Sequence, residues 1–102
     1  MRAFTHPRPE DIKLTRVLYA LSDPVRLDVV RQLAAMGAAT CAALDCGRPK
    51  SSMSHHFRVL REAGLVLTET DGPAHVNRLR REELDKLFPG LLSSVLGESK
   101  KP

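Results

Sequence analysis

The chain contains 102 residues, of which 16 are Lys or Arg and 12 are Asp or Glu, giving a formal net charge of +4 at pH 7. Its length fits a single domain, and an aromatic content of 4% without Trp predicts an aliphatic core of packed helices. Because no apolar run approaches the roughly 18 residues of a membrane span and no signal peptide begins the chain, we expect a cytoplasmic protein with no membrane contact.

Residues 1–9 are predicted to form a flexible amino-terminal arm, since Pro7 and Pro9 interrupt a stretch without helical periodicity. The alternative is an arm that packs on a partner subunit or touches DNA. A first helix is expected from about Glu10, because acidic side chains suit a helix amino terminus. Its apolar residues recur at the i, i+3, i+4, i+7 spacing of one face: Leu14, Val17, Leu18 and Leu21.

A second helix is predicted from Pro24 to about Met36. Ser22 and Asp23 can cap its free amide groups, and proline is tolerated in the first turn of a helix. Gly37 follows as a stop signal. These residues mark the start and the end of the helix.

A helix-turn-helix is predicted in the middle of the chain. Thr40 can cap a short helix that runs through Leu44, and Gly47 together with Pro49 prevents that helix from extending. The next helix occupies residues 48–64, RPKSSMSHHFRVLREAG, and ends at its final glycine. Two helices joined by a short turn that contains Gly are typical of this motif.

The second helix of the motif has one apolar face and one face rich in hydrogen-bond donors. Met53, Phe57 and Leu60 follow the i, i+4, i+7 spacing of a buried stripe. No carboxylate occurs between Cys46 and Arg61, so nothing on this helix repels a polyanion before its last turn. We therefore predict a DNA recognition helix whose contact residues are Lys50, Ser51, Ser52, Ser54, His55 and Arg58.

The side chains of this helix are expected to have different roles. Lys50 and Ser51 lie at the helix amino terminus, which suits phosphate binding, whereas side chains one turn later, His55 and Arg58 among them, suit base edges. His56 borders the apolar stripe. For His56 a buried structural hydrogen bond is favoured over a base contact.

After the recognition helix the pattern changes to that of two short strands, over residues 65–70 and 75–79, joined by a turn that contains Gly and Pro. A hairpin in this position is a wing. Glu69 and Asp71 flank the turn, so the wing is predicted to contribute little to DNA affinity, with Arg78 as its candidate phosphate contact.

The last helical segment, residues 80–97, is predicted to break near Phe88, because Pro89 cannot continue an ordinary helix. We expect one domain over residues 10–97, followed by a tail of residues 98–102. The predicted fold class is mainly α with a small β-hairpin, arranged as a winged helix-turn-helix.

Two segments, ALSDPVRLDVVRQLA and KSSMSHHFRVLREAGLV, occur in this order at residues 20–34 and 50–66. With the predicted order of elements, they resemble the ArsR/SmtB family of bacterial winged-helix repressors. The matching positions are Asp23, Pro24, Arg26 and Leu27 in the first segment and Ser51, Ser54, His56, Phe57, Leu60, Ala63, Gly64, Leu65 and Val66 in the second.

This resemblance implies a homodimer that binds double-stranded DNA, blocks transcription and is released by a signal. The first helix and residues 84–96 carry more apolar surface than one small domain can hide, which agrees with a symmetric dimer. The expected interface residues are Leu14, Val17, Leu18, Leu91, Leu92 and Val95.

The two cysteines leave the nature of that signal open. Many members of the family sense thiophilic metals through a Cys-x-Cys pair, or other metals through His and carboxylate ligands in the last helix, and this chain has neither pattern. Cys41 and Cys46 are favoured as ordinary small buried thiols, with redox or metal sensing as the alternative. No cofactor is predicted, and the inducer stays unassigned.

An enzymatic function is not predicted. Ser and His residues cluster at positions 51–56, but i, i+1 neighbours point apart on a helix, and neither a supporting carboxylate nor a Gly-rich oxyanion turn accompanies them. The pattern predicts a sequence-specific DNA-binding regulator that binds a palindromic operator as a homodimer. The alternative from another class is a winged-helix interaction module that presents its basic face to an acidic protein.

Overall fold

The computed structural model describes residues 4–98, which form six α-helices and a three-stranded sheet. Residues 1–3 of the predicted arm and residues 99–102 of the predicted tail lie outside the described part. After a 3-10 turn at Pro9–Asp11 the elements are α1 (Leu14–Leu21), α2 (Pro24–Met36), β1 (Ala38–Thr40), α3 (Cys41–Asp45), α4 (Lys50–Ala63), β2 (Val66–Asp71), β3 (Ala74–Leu79), α5 (Arg81–Leu87) and α6 (Leu91–Val95).

The capping residues Asp23 and Gly37 set the two ends of α2 where the sequence predicts them. The Asp23 Oδ2 atom accepts hydrogen bonds from the backbone amides of Val25 and Arg26, at 2.9 Å and 3.1 Å. At the other end Gly37 adopts a φ of +84°, which side chains rarely tolerate, and its amide closes the last turn on the Leu33 carbonyl. Both ends of the helix are therefore fixed by residues within or next to it.

The first helix begins at Leu14, later than the predicted start at Glu10. Ile12 has extended backbone geometry and turns its side chain into the core. It fills the space beside Gly64, where an added Cβ atom would lie 2.5 Å from the Ile12 Cγ1 atom. Because this packing requires an extended residue at position 12, the helix cannot start before it.

The strand β1 was not predicted, since Ala38–Thr40 was interpreted only as the approach to a short helix. Thr40 does cap α3, with its Oγ1 atom accepting from the Ala43 amide at 3.1 Å. The three residues also pair antiparallel with β3, so the sheet order is β1-β3-β2. The predicted hairpin is present, and a third strand joins it at the base.

A buried polar residue links the three strands. Asn77 lies in the central strand and is fully buried. Its Oδ1 atom accepts from the Thr68 hydroxyl of β2 at 2.7 Å, and its Nδ2 atom donates to the Ala39 carbonyl of β1 at 3.3 Å. This amide satisfies its own polar atoms while it joins both neighbouring strands at the base of the wing.

The amino-terminal segment packs on the sheet over the part that the structure describes, although residues 1–9 were predicted to be flexible. The backbone amide of Thr68 donates to His6 Nε2 at 2.9 Å, and Arg80 Nη1 donates to the Pro7 carbonyl at 2.8 Å. Both contacts join residues far apart in sequence. Local periodicity could not indicate them.

The carboxyl-terminal helical segment breaks where predicted. The helix α5 ends at Leu87, and α6 starts after Gly90, which has a φ of +83°. Leu84 and Leu92 anchor the two short helices in the core. None of the helices formed by residues 4–98 has the length and apolar character that a membrane span requires.

Candidate nucleic-acid interface

The helix α4 divides into a buried and an exposed face as predicted. Met53, Phe57 and Leu60 are buried against the core. The predicted contact residues on the same helix are all exposed: Lys50, Ser51, Ser52, Ser54, His55 and Arg58. Burial of the apolar stripe thus turns a continuous set of hydrogen-bond donors toward solvent.

The amino terminus of α4 is open to an anion. Its cap residue, Pro49, makes no side-chain hydrogen bond, and the first turn contains no acidic residue. Lys50 is the first residue of the helix and lies beside amide groups that have no partner within the helix. This arrangement suits a phosphate group, as predicted for Lys50 and Ser51.

The turn before α4 is attached to α2. Arg48 Nη2 lies 3.5 Å from the Asp28 Oδ2 atom, and both side chains are partly exposed. Cys46 ends α3 in the left-handed conformation, with a φ of +52°. The turn therefore reverses the chain within a few residues, which brings α3 and α4 into the compact arrangement of a helix-turn-helix.

His56 makes the structural contact that was favoured for it. Its Nδ1 atom lies 3.2 Å from Arg26 Nη1 and 3.9 Å from the Asp23 Oδ2 atom. Burial lowers the pKa of His56, the Asp23 carboxylate opposes this shift, and Arg26 adds to it. The imidazole therefore belongs to the support of α4 and not to its exposed face.

Arg26 makes a buried contact beneath α4 that the sequence pattern did not predict. It was noted only as part of a motif, yet it is buried between α1, α2 and α4. A signal was present in the sequence. Arg26 shares the apolar stripe of α2 with Val29, Val30 and Leu33, and a cation in such a stripe indicates a specific partner.

The wing presents both signs of charge beside α4. Glu69, Asp71, His75 and Arg78 are all exposed on β2 and β3. A cleft of about 420 Å³ separates the wing turn from α3 and from the first turns of α4. Lys50 is among the residues that line it, so the helix and the wing border a common space.

Comparison with known proteins identifies the family. Residues 21–69 match a family model described as a helix-turn-helix domain. The uncharacterized HTH-type transcriptional regulator YceK of Bacillus subtilis is 32% identical over 94 residues, which cover 89% of this chain and 94% of that protein. The arsenical resistance operon repressor of Staphylococcus xylosus is 32% identical over 80 residues, which cover 78% and 77% of the two chains.

A solved structure of an ArsR family transcriptional regulator superposes on this fold with a TM-score of 0.67 and 26% identity, covering 85% of this chain and 98% of that one. This chain belongs to the ArsR family of transcriptional regulators. The resemblance based on the two sequence segments is confirmed, as is the winged helix-turn-helix fold. ArsR family proteins are DNA-binding regulators and not enzymes, so the prediction against catalysis is also confirmed.

The two cysteines of this ArsR family protein have different surroundings. Cys41 is half-buried, and its sulfur accepts from Asn77 Nδ2 at 3.3 Å. The buried thiol predicted for Cys46 is wrong, because Cys46 lies at the exposed end of α3, where its sulfur is 3.6 Å from Gln32 Nε2. Among residues 4–98 no group of three or more His, Cys, Asp or Glu side chains could hold a metal ion.

The predicted dimer face of this ArsR family chain needs a correction. Val17 and Leu92 are buried in the chain's own core, with exposures of 0% and 1%, so neither can contact a partner. Periodicity could not show which side of α1 or α6 faces inward. The remaining predicted residues, Leu14, Leu18, Leu91 and Val95, are exposed or half-buried, and the exposed Tyr19 joins them.

Proposed function

We propose that this ArsR family protein is a cytoplasmic transcriptional repressor that binds a palindromic operator as a homodimer. In this proposal each α4 enters a major groove, and the two half-sites lie about one helical turn apart. Lys50, Ser51 and Ser52 contact phosphates. Ser54, His55 and Arg58 contact base edges.

One observation carries the proposal. The helix α4 buries its apolar stripe and, from Lys50 to Arg58, exposes a continuous face of cationic, imidazole and hydroxyl groups; its one exposed carboxylate, Glu62, lies in the last turn. A solvated polar helix ordinarily carries both signs of charge. A face with donors of this kind and an open helix amino terminus complements phosphates and base edges.

Selection of bound fragments from genomic DNA tests the proposal, followed by a titration of the recovered duplex at several salt concentrations. We expect the protein to retain the selected duplex over competitor DNA, and its affinity to fall steeply with salt. Equal affinity for random DNA at physiological salt would contradict specific regulation. Binding to an acidic protein instead would support the interaction-module alternative.

Exposed apolar side chains on α1 support the proposed homodimer. Leu14 and Leu18 are 44% and 46% exposed, one helical turn apart, and Tyr19 beside them is 59% exposed. Exposed apolar residues that cluster on one helix mark an interface. Sedimentation of the free protein should give a dimer, and Leu18→Glu should give a monomer that binds one half-site weakly. A wild-type monomer at micromolar concentration would contradict this part of the proposal.

A thiol-based release signal is a second candidate function, and the structure favours Cys41 for it. The Cys41 sulfur accepts from Asn77, the residue that joins the three strands, and Cys41 is the first residue of α3. An adduct on that sulfur would therefore disturb the start of the helix-turn-helix as well as the base of the wing. Oxidant or a thiophilic metal should release DNA from the wild type and from Cys46→Ser but not from Cys41→Ser. If both variants release DNA like the wild type, the thiols have no sensing role.

A further inference from the structure

The side chain of Arg26 joins three helices. It is 4% exposed. Its Nε atom donates to the Ala20 carbonyl at 2.8 Å, and its Nη2 atom donates to the Tyr19 carbonyl at 3.3 Å. Its Nη1 atom lies 3.2 Å from His56 Nδ1. One residue of α2 therefore connects the carboxyl end of α1 to the middle of α4.

The contact between Arg26 and His56 fixes the protonation state of the imidazole. A guanidinium group has donors only, so the His56 Nδ1 atom must accept, which requires a neutral ring with its proton on Nε2. When His56 gains a second proton, two donors of like charge face each other at the 3.2 Å that now separates them. Protonation therefore removes the hydrogen bond between α2 and α4.

The other groups around His56 do not replace this bond. Asp23 is the nearest carboxylate, with its Oδ2 atom 3.9 Å from Nδ1, and that oxygen already accepts from the amides of Val25 and Arg26. The remaining charged or titratable neighbours of the ring are Arg26 itself, His55 on the same helix and Arg48 in the preceding turn. Arg26 and Arg48 are both cations. The helix α1 offers the cluster two carbonyl groups that Arg26 already uses and the Tyr19 ring, whose centroid lies 5.2 Å from the Arg26 Cζ atom; none of these replaces the bond to His56.

We propose that Arg26 and His56 are positioning residues for DNA binding, and that the operator-binding orientation of α4 requires His56 in its neutral form. The inference rests on the proposed role of α4 as the recognition helix. His55 and Arg58 lie within two residues of His56 on α4. A change in the contact between His56 and Arg26 therefore shifts these two candidate base contacts directly. Specific contacts tolerate displacements of only about 0.5 Å.

The direction of the pH effect separates positioning from simple charge. A proton added to a DNA-binding face strengthens attraction to phosphates, so charge alone predicts tighter binding in acid. Loss of the bond to Arg26 predicts weaker binding to the operator in acid. In this proposal α4 contacts random duplex DNA through phosphates only. The affinity for random duplex should therefore rise in acid with the added charge, whether or not the bond between Arg26 and His56 is present.

The experiment measures operator and random-duplex affinity by fluorescence anisotropy at constant ionic strength, at about pH 8 and at a pH below the lowered pKa of His56, which NMR of the free protein determines. For the wild type we expect operator affinity to fall on the order of tenfold in acid, within the range typical of coupled equilibria. His56→Asn keeps an acceptor close to the position of Nδ1 but cannot titrate. It should bind the operator at both pH values without the acid loss.

Arg26→Gln and Arg31→Gln form a matched pair. Both remove one positive charge from α2, but Arg31 is exposed on the surface, whereas Arg26 is buried against His56. Arg31→Gln should keep the acid loss of the wild type. Arg26→Gln should bind the operator weakly at both pH values, while its affinity for random duplex falls no more than that of Arg31→Gln. Circular dichroism melting establishes which variants fold, and the comparison of wild type with His56→Asn does not depend on Arg26→Gln.

A measurement on the free protein distinguishes failure of this inference from failure of the proposed function. Nitrogen-detected NMR should show His56 as the Nε2–H tautomer, with a lower pKa than in Arg26→Gln. If His56 behaves in this way but no variant binds a selected duplex at any pH, the proposed function is wrong. If the wild type binds the operator and its pH profile parallels that of His56→Asn, the positioning role is overturned.

Discussion

The recognition helix and the wing border the same cleft, yet their polar surfaces differ in charge. The exposed face of α4 carries Lys50 and Arg58 with no carboxylate among its first residues. On the wing, Glu69 and Asp71 offset the positive charge of Arg78. We therefore expect attraction to DNA phosphates to concentrate on α4, with the wing contributing little of it.

The two elements also differ in how they are supported. Beneath α4 lie a stripe of large apolar side chains and the buried guanidinium of Arg26. The wing is joined by Asn77 at its base, whereas its turn at Gly72 and Pro73 is exposed. Base contacts read the sequence and need closely defined positions, whereas phosphate contacts carry no sequence information directly. The buried contacts beneath α4 suit an element that makes base contacts, and the exposed turn of the wing suits an element that makes none.

Truncation in the support of α4 should have the largest effect. Phe57→Ala removes a buried aromatic side chain and should lower the free energy of unfolding by about 3 to 5 kcal/mol. Thr70→Ala, on the exposed part of the wing, should change it by less than about 0.5 kcal/mol. Chemical denaturation followed by circular dichroism measures both values. Similar losses for the two variants would contradict the difference in support.

Next in size are changes to the exposed face of α4. Arg58→Ala should reduce discrimination between operator and random DNA by about 1 to 3 kcal/mol, because a base contact is lost. Lys50→Ala should weaken binding to both duplexes alike and reduce the salt slope by about 1. Salt-dependent anisotropy titrations of both duplexes separate the two results. Equal losses that do not depend on sequence would refute the assignment of Arg58 as a base contact and Lys50 as a phosphate contact.

A smaller effect is expected from the histidine that supports the wing. His6→Ala leaves the Thr68 amide without its acceptor, which should cost about 0.5 to 1.5 kcal/mol of folding stability near neutral pH. Burial, followed by the charges of Arg80 and Arg61, lowers the pKa of His6, whereas Glu69 opposes the shift.

The pH dependence of this stability has a defined sign. Because the folded protein binds the His6 proton less tightly than the unfolded chain, the contribution of His6 is complete above the unfolded-state pKa of about 6.5. It decreases as the pH falls from there toward the lower folded-state pKa. Denaturation curves of wild type and His6→Ala should therefore approach each other in acid. A constant difference across this range would show that neutral His6 is not the acceptor.

The smallest effect is expected at the charged residues of the wing. Arg78→Ala should change the salt slope of operator binding by clearly less than the value of about 0.9 that one phosphate contact contributes. Asp71→Asn should strengthen binding slightly, because it removes a repelling charge. The same anisotropy titrations apply. If Arg78→Ala lowered the salt slope of operator binding by about 0.9, the value for one phosphate contact, the wing would be a DNA-binding element comparable to α4.

Local signals in the sequence were sufficient for the elements that matter most to the site. The cap at Asp23 and the glycine at position 37 defined α2, and the apolar stripe of α4 defined which of its residues are exposed. Such signals act over one or two helical turns, which is the range that periodicity reports. The helix-turn-helix could therefore be predicted almost to the residue.

Contacts between distant residues could not be predicted in the same way. The strand β1 is only three residues long and forms because β3 offers it a free edge. The start of α1 depends on Ile12 packing against Gly64, fifty-two positions away in the chain. Val17 and Leu92 were assigned to an interface because apolar spacing does not distinguish a core from a surface. In each case the decisive partner lies outside the local pattern.

The amino-terminal segment has a consequence for how this protein avoids unwanted association. The strand β2 forms an outer edge of the sheet, and edge strands offer free amides to strands of other molecules. His6 occupies one of those amides, and Phe4 lies under the Arg61 guanidinium at 4.5 Å and against the His75 ring. A chain shortened to begin after Pro9 would uncover this edge. Strand addition between molecules would then compete with the proposed dimer through α1 and favour aggregates over a defined pair.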